Sequence, residues 1–224
     1  MRRNPSGLKK RESKNHWDVF FRLLKKSYRG TALGSMEKRD PFRVLVSTVI
    51  SQRTKDETTV RVSAALFSRF RNASQIASAP PAELEKILKS SGFYRQKARH
   101  IRALSLIVSR DLSNRVPDTM DALLQLPGVG RKTAACVLNF GFGKPAIAVD
   151  THVHRISNRL GWVKTKHPNH TEQALMKFVP LRYWVELNDL IVSHGKSICR
   201  PRMPKCSICP VEKYCHREGV KGLD

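Results

Sequence analysis

Leu126-Pro127-Gly128-Val129-Gly130-Arg131-Lys132-Thr133-Ala134 sets two glycines, two positions apart, at the mouth of a helical run. Asp118 before it starts a short helix through Leu123 and Leu124, and Lys132 to Phe140 after it turns helical again. The segment from about 118 to 141 therefore reads helix, tight glycine turn, helix. Glycine permits positive φ and lets a backbone approach a ligand closely, while the first amides of the second helix have no partner inside it. Such amides, at the positive end of a helix dipole, bind anions. An ordinary αα-hairpin has the same outline, so Gly128 and Gly130 mark an anion site only in company with other signals.

Charge is the first of these. The 224 residues carry 42 Lys and Arg against 18 Asp and Glu, a net +24. That excess is self-repulsive in isolation and favours a polyanionic partner, nucleic acid or an anionic membrane surface. For the hairpin, the anion expected is a nucleic-acid backbone phosphate, held without any base being read. No stretch approaches the ~18 uninterrupted apolar residues of a membrane span, and Met1 to Gly7 has no apolar signal-peptide core. The expectation is a soluble, intracellular protein. Its 40% hydrophobic content is close to that of globular chains and supports a packed core.

Working outward from the hairpin, the period is almost entirely helical. Residues 1–15 form a basic tail with little to bury. Trp17, Phe20, Phe21, Leu24 and Tyr28 recur every three or four positions, with Gly30 as a stop. Asp40-Pro41 is an N-cap followed by proline at the first helical position, opening the buried run Phe42 to Ile50. Val60, Ala64, Leu66 and Phe67 mark a third helix; Pro80-Pro81 opens another, ended by Gly92, and Ala98 to Val108 continues the pattern. Asp150-Thr151 caps a helix through Val153, Ile156 and Leu160, Thr171 caps the next, and Tyr183 to Val192 is the last. About ten helices result, with Ala146 to Val149 the one short run resembling a strand. The fold class is all-α.

Four of the five cysteines lie in the last 26 residues, which argues for a reducing compartment and a metal or cluster site rather than a disulfide framework. Cys199, Cys206, Cys209 and Cys215 are separated by six, two and five residues. By ligand type alone, four thiolates suit either zinc or an iron–sulfur cluster. Cys136, in the apolar run Ala134 to Leu138, reads as a core thiol.

The hairpin string, Val149-Asp150-Thr151-His152 placed 18 residues after Lys132, and the C-x6-C-x2-C-x5-C spacing together resemble the endonuclease III family of helix-hairpin-helix DNA glycosylases, over about residues 15 to 218. The resemblance implies a two-lobe fold: a six-helix lobe over 36–150, a second lobe from 16–35 plus 151–198, and a [4Fe–4S] cluster loop at 199–215. It implies a monomeric base-excision-repair enzyme acting on double-stranded DNA with damaged bases, cytoplasmic and nucleoid-associated in a prokaryote, nuclear or mitochondrial in a eukaryote. Lys132 is the implied nucleophile at C1′; the resulting Schiff base acidifies C2′ and permits strand-nicking β-elimination, a combination that accompanies lysine at this position. Free lysine is a poor nucleophile, so its site must lower its pKa, with Arg131 and the helix N-terminus as sources. Asp150 is the implied carboxylate near C1′, and its alternative, an N-cap, is compatible with that work.

A glycosylase must extrude its base and fill the gap. Ser51-Gln52-Arg53-Thr54-Lys55-Asp56 resembles the family's gap-filling loop, but an ungapped match puts Arg53 where the family has glutamine, with Gln52 one residue early. Either side chain is a candidate. Phe93 matches the second, apolar wedge, with burial just past a helix end as its alternative. Gly128, Gly130, Arg131 and Thr133 complete the expected DNA contacts. A monofunctional mismatch glycosylase and a non-catalytic DNA binder are the remaining alternatives.

Overall fold

The computed structural model describes residues 14–28, 40–220 and 222, and among these it contains helices and turns but no strand. The 1–15 tail therefore lies almost wholly outside the described residues, as does Gly30. Eleven α-helices occur in the described residues: α1 (Lys14–Ser27), α2 (Pro41–Ser51), α3 (Asp56–Arg69), α4 (Ala73–Ser78), α5 (Pro81–Leu88), α6 (Tyr94–Arg110), α7 (Met120–Leu124), α8 (Arg131–Cys136), α9 (Thr151–Arg159), α10 (Pro168–Phe178) and α11 (Trp184–Ser197).

Local chemistry explains most boundaries. Asp40 caps α2 by accepting from the Phe42 and Arg43 amides, with Pro41 at the first position. Asn72 caps the short α4 through the Gln75 amide, a helix that periodicity over six residues is too short to reveal. Two expected caps move. Thr119, not Asp118, caps α7 through the Ala122 amide, because Asp118 pairs with Lys144 at 2.5 Å. Thr171 lies inside α10, whose first residue is Pro168; its hydroxyl accepts no cap bond and instead donates to the His167 carbonyl at 3.2 Å.

The helices close around two hydrophobic cores. Leu45, Ile50, Leu66, Leu84, Ile101 and Leu104 anchor the first, which takes its members from residues 42–148. Trp17, Phe20, Phe21 and Leu24 of α1 join Trp162, Leu175, Leu187 and Ile191 in the second, with the Phe21 and Tyr183 rings stacked 4.2 Å apart. The run Ala146 to Val149 passes between them. Ala146 and Ala148 face the first core, Ile147 and Val149 the second, so the period-2 pattern serves two cores and not a sheet. Its backbone finds partners in side chains: Asn139 brackets Ala146 at 2.7 and 2.8 Å, and Asn188 donates to the Ala148 carbonyl at 2.8 Å.

Candidate active site and nucleic-acid interface

α8 begins directly after the glycine turn and runs into a π-helical turn at Val137–Gly141. The two glycines serve different ends. Gly128 has φ +78, and a Cβ there would come within 2.6 Å of the His100 ring, so both conformation and space require glycine. Gly130 has no atom within 4 Å of the position a Cβ would take, leaving its backbone approachable from outside. No side chain caps α8, whose N-cap is Gly130. Thr133 is buried, so among the expected contacts its side chain faces the protein.

Lys132 and Asp150 open onto one cleft of about 460 Å³, with Ser51, Arg53, Asn188 and Lys196 also in its walls. The cleft takes residues from both lobes. Asp150 is the N-cap of α9: Oδ1 accepts from the His152 and Val153 amides at 2.9 and 2.8 Å, which fixes the carboxylate at the helix mouth and leaves Oδ2 outside the cap. Cys136, one turn along α8 from Lys132, is fully buried; burial pushes its thiol up, while the hydrogen-bonded Lys132 charge pulls it down. Arg131 turns away. Its guanidinium forms a two-pronged pair with Glu172 of α10, Nη2 to Oε1 at 2.6 Å and Nε to Oε2 at 3.0 Å, so its charge is engaged by a buried carboxylate.

Gln52 and Arg53 part company. Gln52 Nε2 donates to the Gly128 carbonyl at 2.9 Å and to Thr133 Oγ1 at 3.2 Å, tying its loop to the hairpin. Arg53 has φ +52 and an exposed side chain, with its guanidinium 5.2 Å from the centre of the Phe93 ring. Phe93 is itself left-handed, φ +58, and 59% exposed, so burial is not its role. Sequence reasoning missed Asn188 and Lys196 of this cleft, which come from α11, distant in sequence; His152, quoted beside Asp150 as part of the motif, was given no role.

The four C-terminal cysteines are free of disulfides and line one mostly apolar cavity with Ile156, Leu160 and Val211. Arg159 Nη1 donates to Cys199 Sγ at 3.3 Å, the Arg217 amide to Cys215 Sγ at 3.3 Å, and His194 Nε2 lies 3.7 Å from Cys209 Sγ. Among the described residues no three Cys, His, Asp or Glu side chains converge on a single-ion site. Four thiols around one cavity, with N–H donors at the Cys199 and Cys215 sulfurs, are a donor set that a polynuclear cluster fits.

An all-helical fold whose glycine hairpin opens a helix with no side-chain cap, beside a cleft holding a lysine and an aspartate, is the geometry of a helix-hairpin-helix protein. A family model described as "HhH-GPD superfamily base excision DNA repair protein" matches residues 46–181. The chain belongs to that superfamily. It is 52% identical over 188 residues to endonuclease III of Thermotoga maritima, covering 83% of this chain and 88% of the relative. Among solved structures it resembles a trapped endonuclease III–DNA covalent intermediate, with TM-score 0.81, 33% identity and coverage of 91% and 95% of the two chains. A thermostable thymine-DNA glycosylase is also similar, with TM-score 0.79 and 28% identity over 91% of this chain and 95% of that one.

Proposed function

We propose that the protein is a bifunctional base-excision-repair enzyme, a DNA glycosylase with abasic-site lyase activity, which removes oxidised pyrimidines such as thymine glycol from duplex DNA. The observation that carries this reading is the opening of Lys132 and Asp150 onto one cleft beside the hairpin. Lys132 Nζ attacks C1′ of the extruded nucleotide as the glycosidic bond breaks and the base leaves. Asp150, held by its cap bonds, stabilises the oxocarbenium-like charge and takes a proton from the attacking amine. Ring opening then gives a Schiff base on Lys132, and loss of the C2′ proton cleaves the strand 3′ to the abasic site.

Around this centre, amides at the start of α8 with Gly128 and Gly130 grip a phosphate, while Arg131 supports the hairpin through Glu172. Arg53 takes the gap left by the flipped base and Phe93 wedges the opposite side, because Gln52 is already committed to the hairpin. Cys199, Cys206, Cys209 and Cys215 would hold a [4Fe–4S] cluster. When bound, it supplies a fixed crosslink and charge that shape the basic loop, and bond breaking stays with Lys132 and Asp150. The enzyme works as a monomer on chromosomal DNA.

Borohydride reduction in the presence of thymine glycol duplex tests this reading. A covalent protein–DNA adduct is expected, lost in Lys132→Gln. On a duplex with thymine opposite guanine, base release without an adduct would point to the monofunctional mismatch class, and neither release nor adduct on either duplex to a DNA binder.

A further inference from the structure

Lys97 is 3% exposed, yet among the described residues its ammonium is bonded to neutral oxygens and to no carboxylate. Its Nζ donates to the Ile50 carbonyl in the last turn of α2 at 2.6 Å and to Thr54 Oγ1 at 2.7 Å. A buried ammonium with only neutral acceptors is costly, and burial pushes its pKa down to about 8. The place where this cost is met is informative. Thr54 belongs to the loop that presents Arg53, and Lys97 lies in the first turn of α6, directly after Phe93.

Thr54 Oγ1 is the junction. It accepts from Lys97 and from the Gly92 amide at 3.2 Å, and donates to the Gln52 carbonyl at 3.2 Å, which uses the hydroxyl's one proton and both lone pairs. Backbone meets backbone beside it: a Cβ on Gly92 would stand 2.6 Å from the Arg53 carbonyl oxygen. Arg53 and Phe93, one on each segment, both sit in the left-handed region that side chains disfavour. Such strain persists only where surrounding contacts over-determine it. The contacts here include the ammonium at the end of α2 and the shared hydroxyl, beside the Arg53–Phe93 ring contact and the bonds that tie Gln52 to the hairpin.

We infer that Lys97 is a positioning residue for duplex invasion: through Thr54 it locks the Arg53 loop and the Phe93 turn into one register, so that the two enter the base stack as a unit. This rests on the glycosylase reading above. Neither Lys97 nor Thr54 needs to touch the reacting atoms. Their effect falls on extrusion of the base, ahead of the chemistry of Lys132.

The test uses the full-length, cluster-loaded protein and a duplex with a tetrahydrofuran abasic analogue opposite 2-aminopurine, whose fluorescence rises when it is unstacked. Wild type brightens the probe. Thr54→Val, which keeps shape but loses the hydroxyl, loses most of that brightening, and single-turnover release of thymine glycol falls about tenfold or more. Thr54→Ser restores both, while affinity for undamaged duplex is the same in all three. Lys97→Met repeats the Thr54→Val result and Lys97→Arg partly recovers it. Full brightening by Thr54→Val, or equal losses in Thr54→Val and Thr54→Ser, overturns the inference alone. A wild type that neither brightens the probe nor releases the base overturns the glycosylase reading, and this inference with it.

Discussion

At the residue scale, the buried ammonium of Lys97 has a thermodynamic signature separate from its place between two loops. Its ordinary pKa of 10.5 falls to about 8 in the fold through burial. Between those values the unfolded chain holds a proton that the folded chain has released, so the folded state gains stability as pH rises through this window. Below about pH 8 both states are charged and the full burial cost remains. Chemical denaturation at pH 7.5 and pH 9.5 should therefore show wild type gaining relative to Lys97→Met at the higher pH; a constant difference would mean that the ammonium is not desolvated. Gln52 and Arg53 show how adjacent residues of similar polarity diverge: a carbonyl at Gly128 captures the amide, and a left-handed backbone sends the guanidinium to Phe93.

Between elements, the pair Arg131–Glu172 joins the first residue of α8 to α10 across the lobes, immediately before Lys132. Glu172 is 5% exposed, so deleting Arg131 strands a carboxylate where water cannot reach it. Arg131→Ala should cost about 1–3 kcal/mol in urea denaturation, and Glu172→Gln, which keeps an acceptor without the charge, clearly less. If both variants match wild type, the bridge is surface decoration. The same element logic governs the cysteine loop. Arg159 of α9 reaches Cys199 Sγ and the carbonyls of Arg200 and Pro201 at 3.3, 2.6 and 2.8 Å, so the helix that Asp150 caps also shapes that loop.

For the whole molecule, a net +24 on 224 residues and the cleft that holds Lys132 and Asp150 suit a base-excision-repair protein that works on DNA. On the proposed reading, much of that charge contacts no phosphate in a single complex. A plot of log affinity for undamaged duplex against log salt should fall with a slope of roughly ten or less in magnitude; a value near twenty would mean that nearly the whole basic surface engages DNA. The all-helical class was legible because Phe42 to Ile50 and Trp17 to Tyr28 repeat at helical spacing, and Asp40 and Asp150 are caps that short-range hydrogen bonds decide. Thr171 and Asp118 misled because a cap-forming residue inside or before a helix looks the same in sequence whether its oxygen meets an amide or another partner. Arg131 adds a partner that sequence does not show: the cation next to Lys132 in the chain is paired with Glu172, forty-one residues on.

The sequence by itself determined the helical period, the glycine hairpin, the lysine and aspartate 18 residues apart and the four-cysteine spacing, since each depends on neighbours within a few turns or on residue type alone. Tertiary structure alone decided that Gln52 serves the hairpin while Arg53 turns to the Phe93 ring, that Ala146 to Val149 divides its side chains between two cores, and that Lys97 is buried against the Ile50 carbonyl and Thr54. Those outcomes turn on long-range competition for hydrogen-bond partners and buried space. Such competition is resolved only when residues tens of positions apart are brought within about 3 Å, where a hydrogen bond forms.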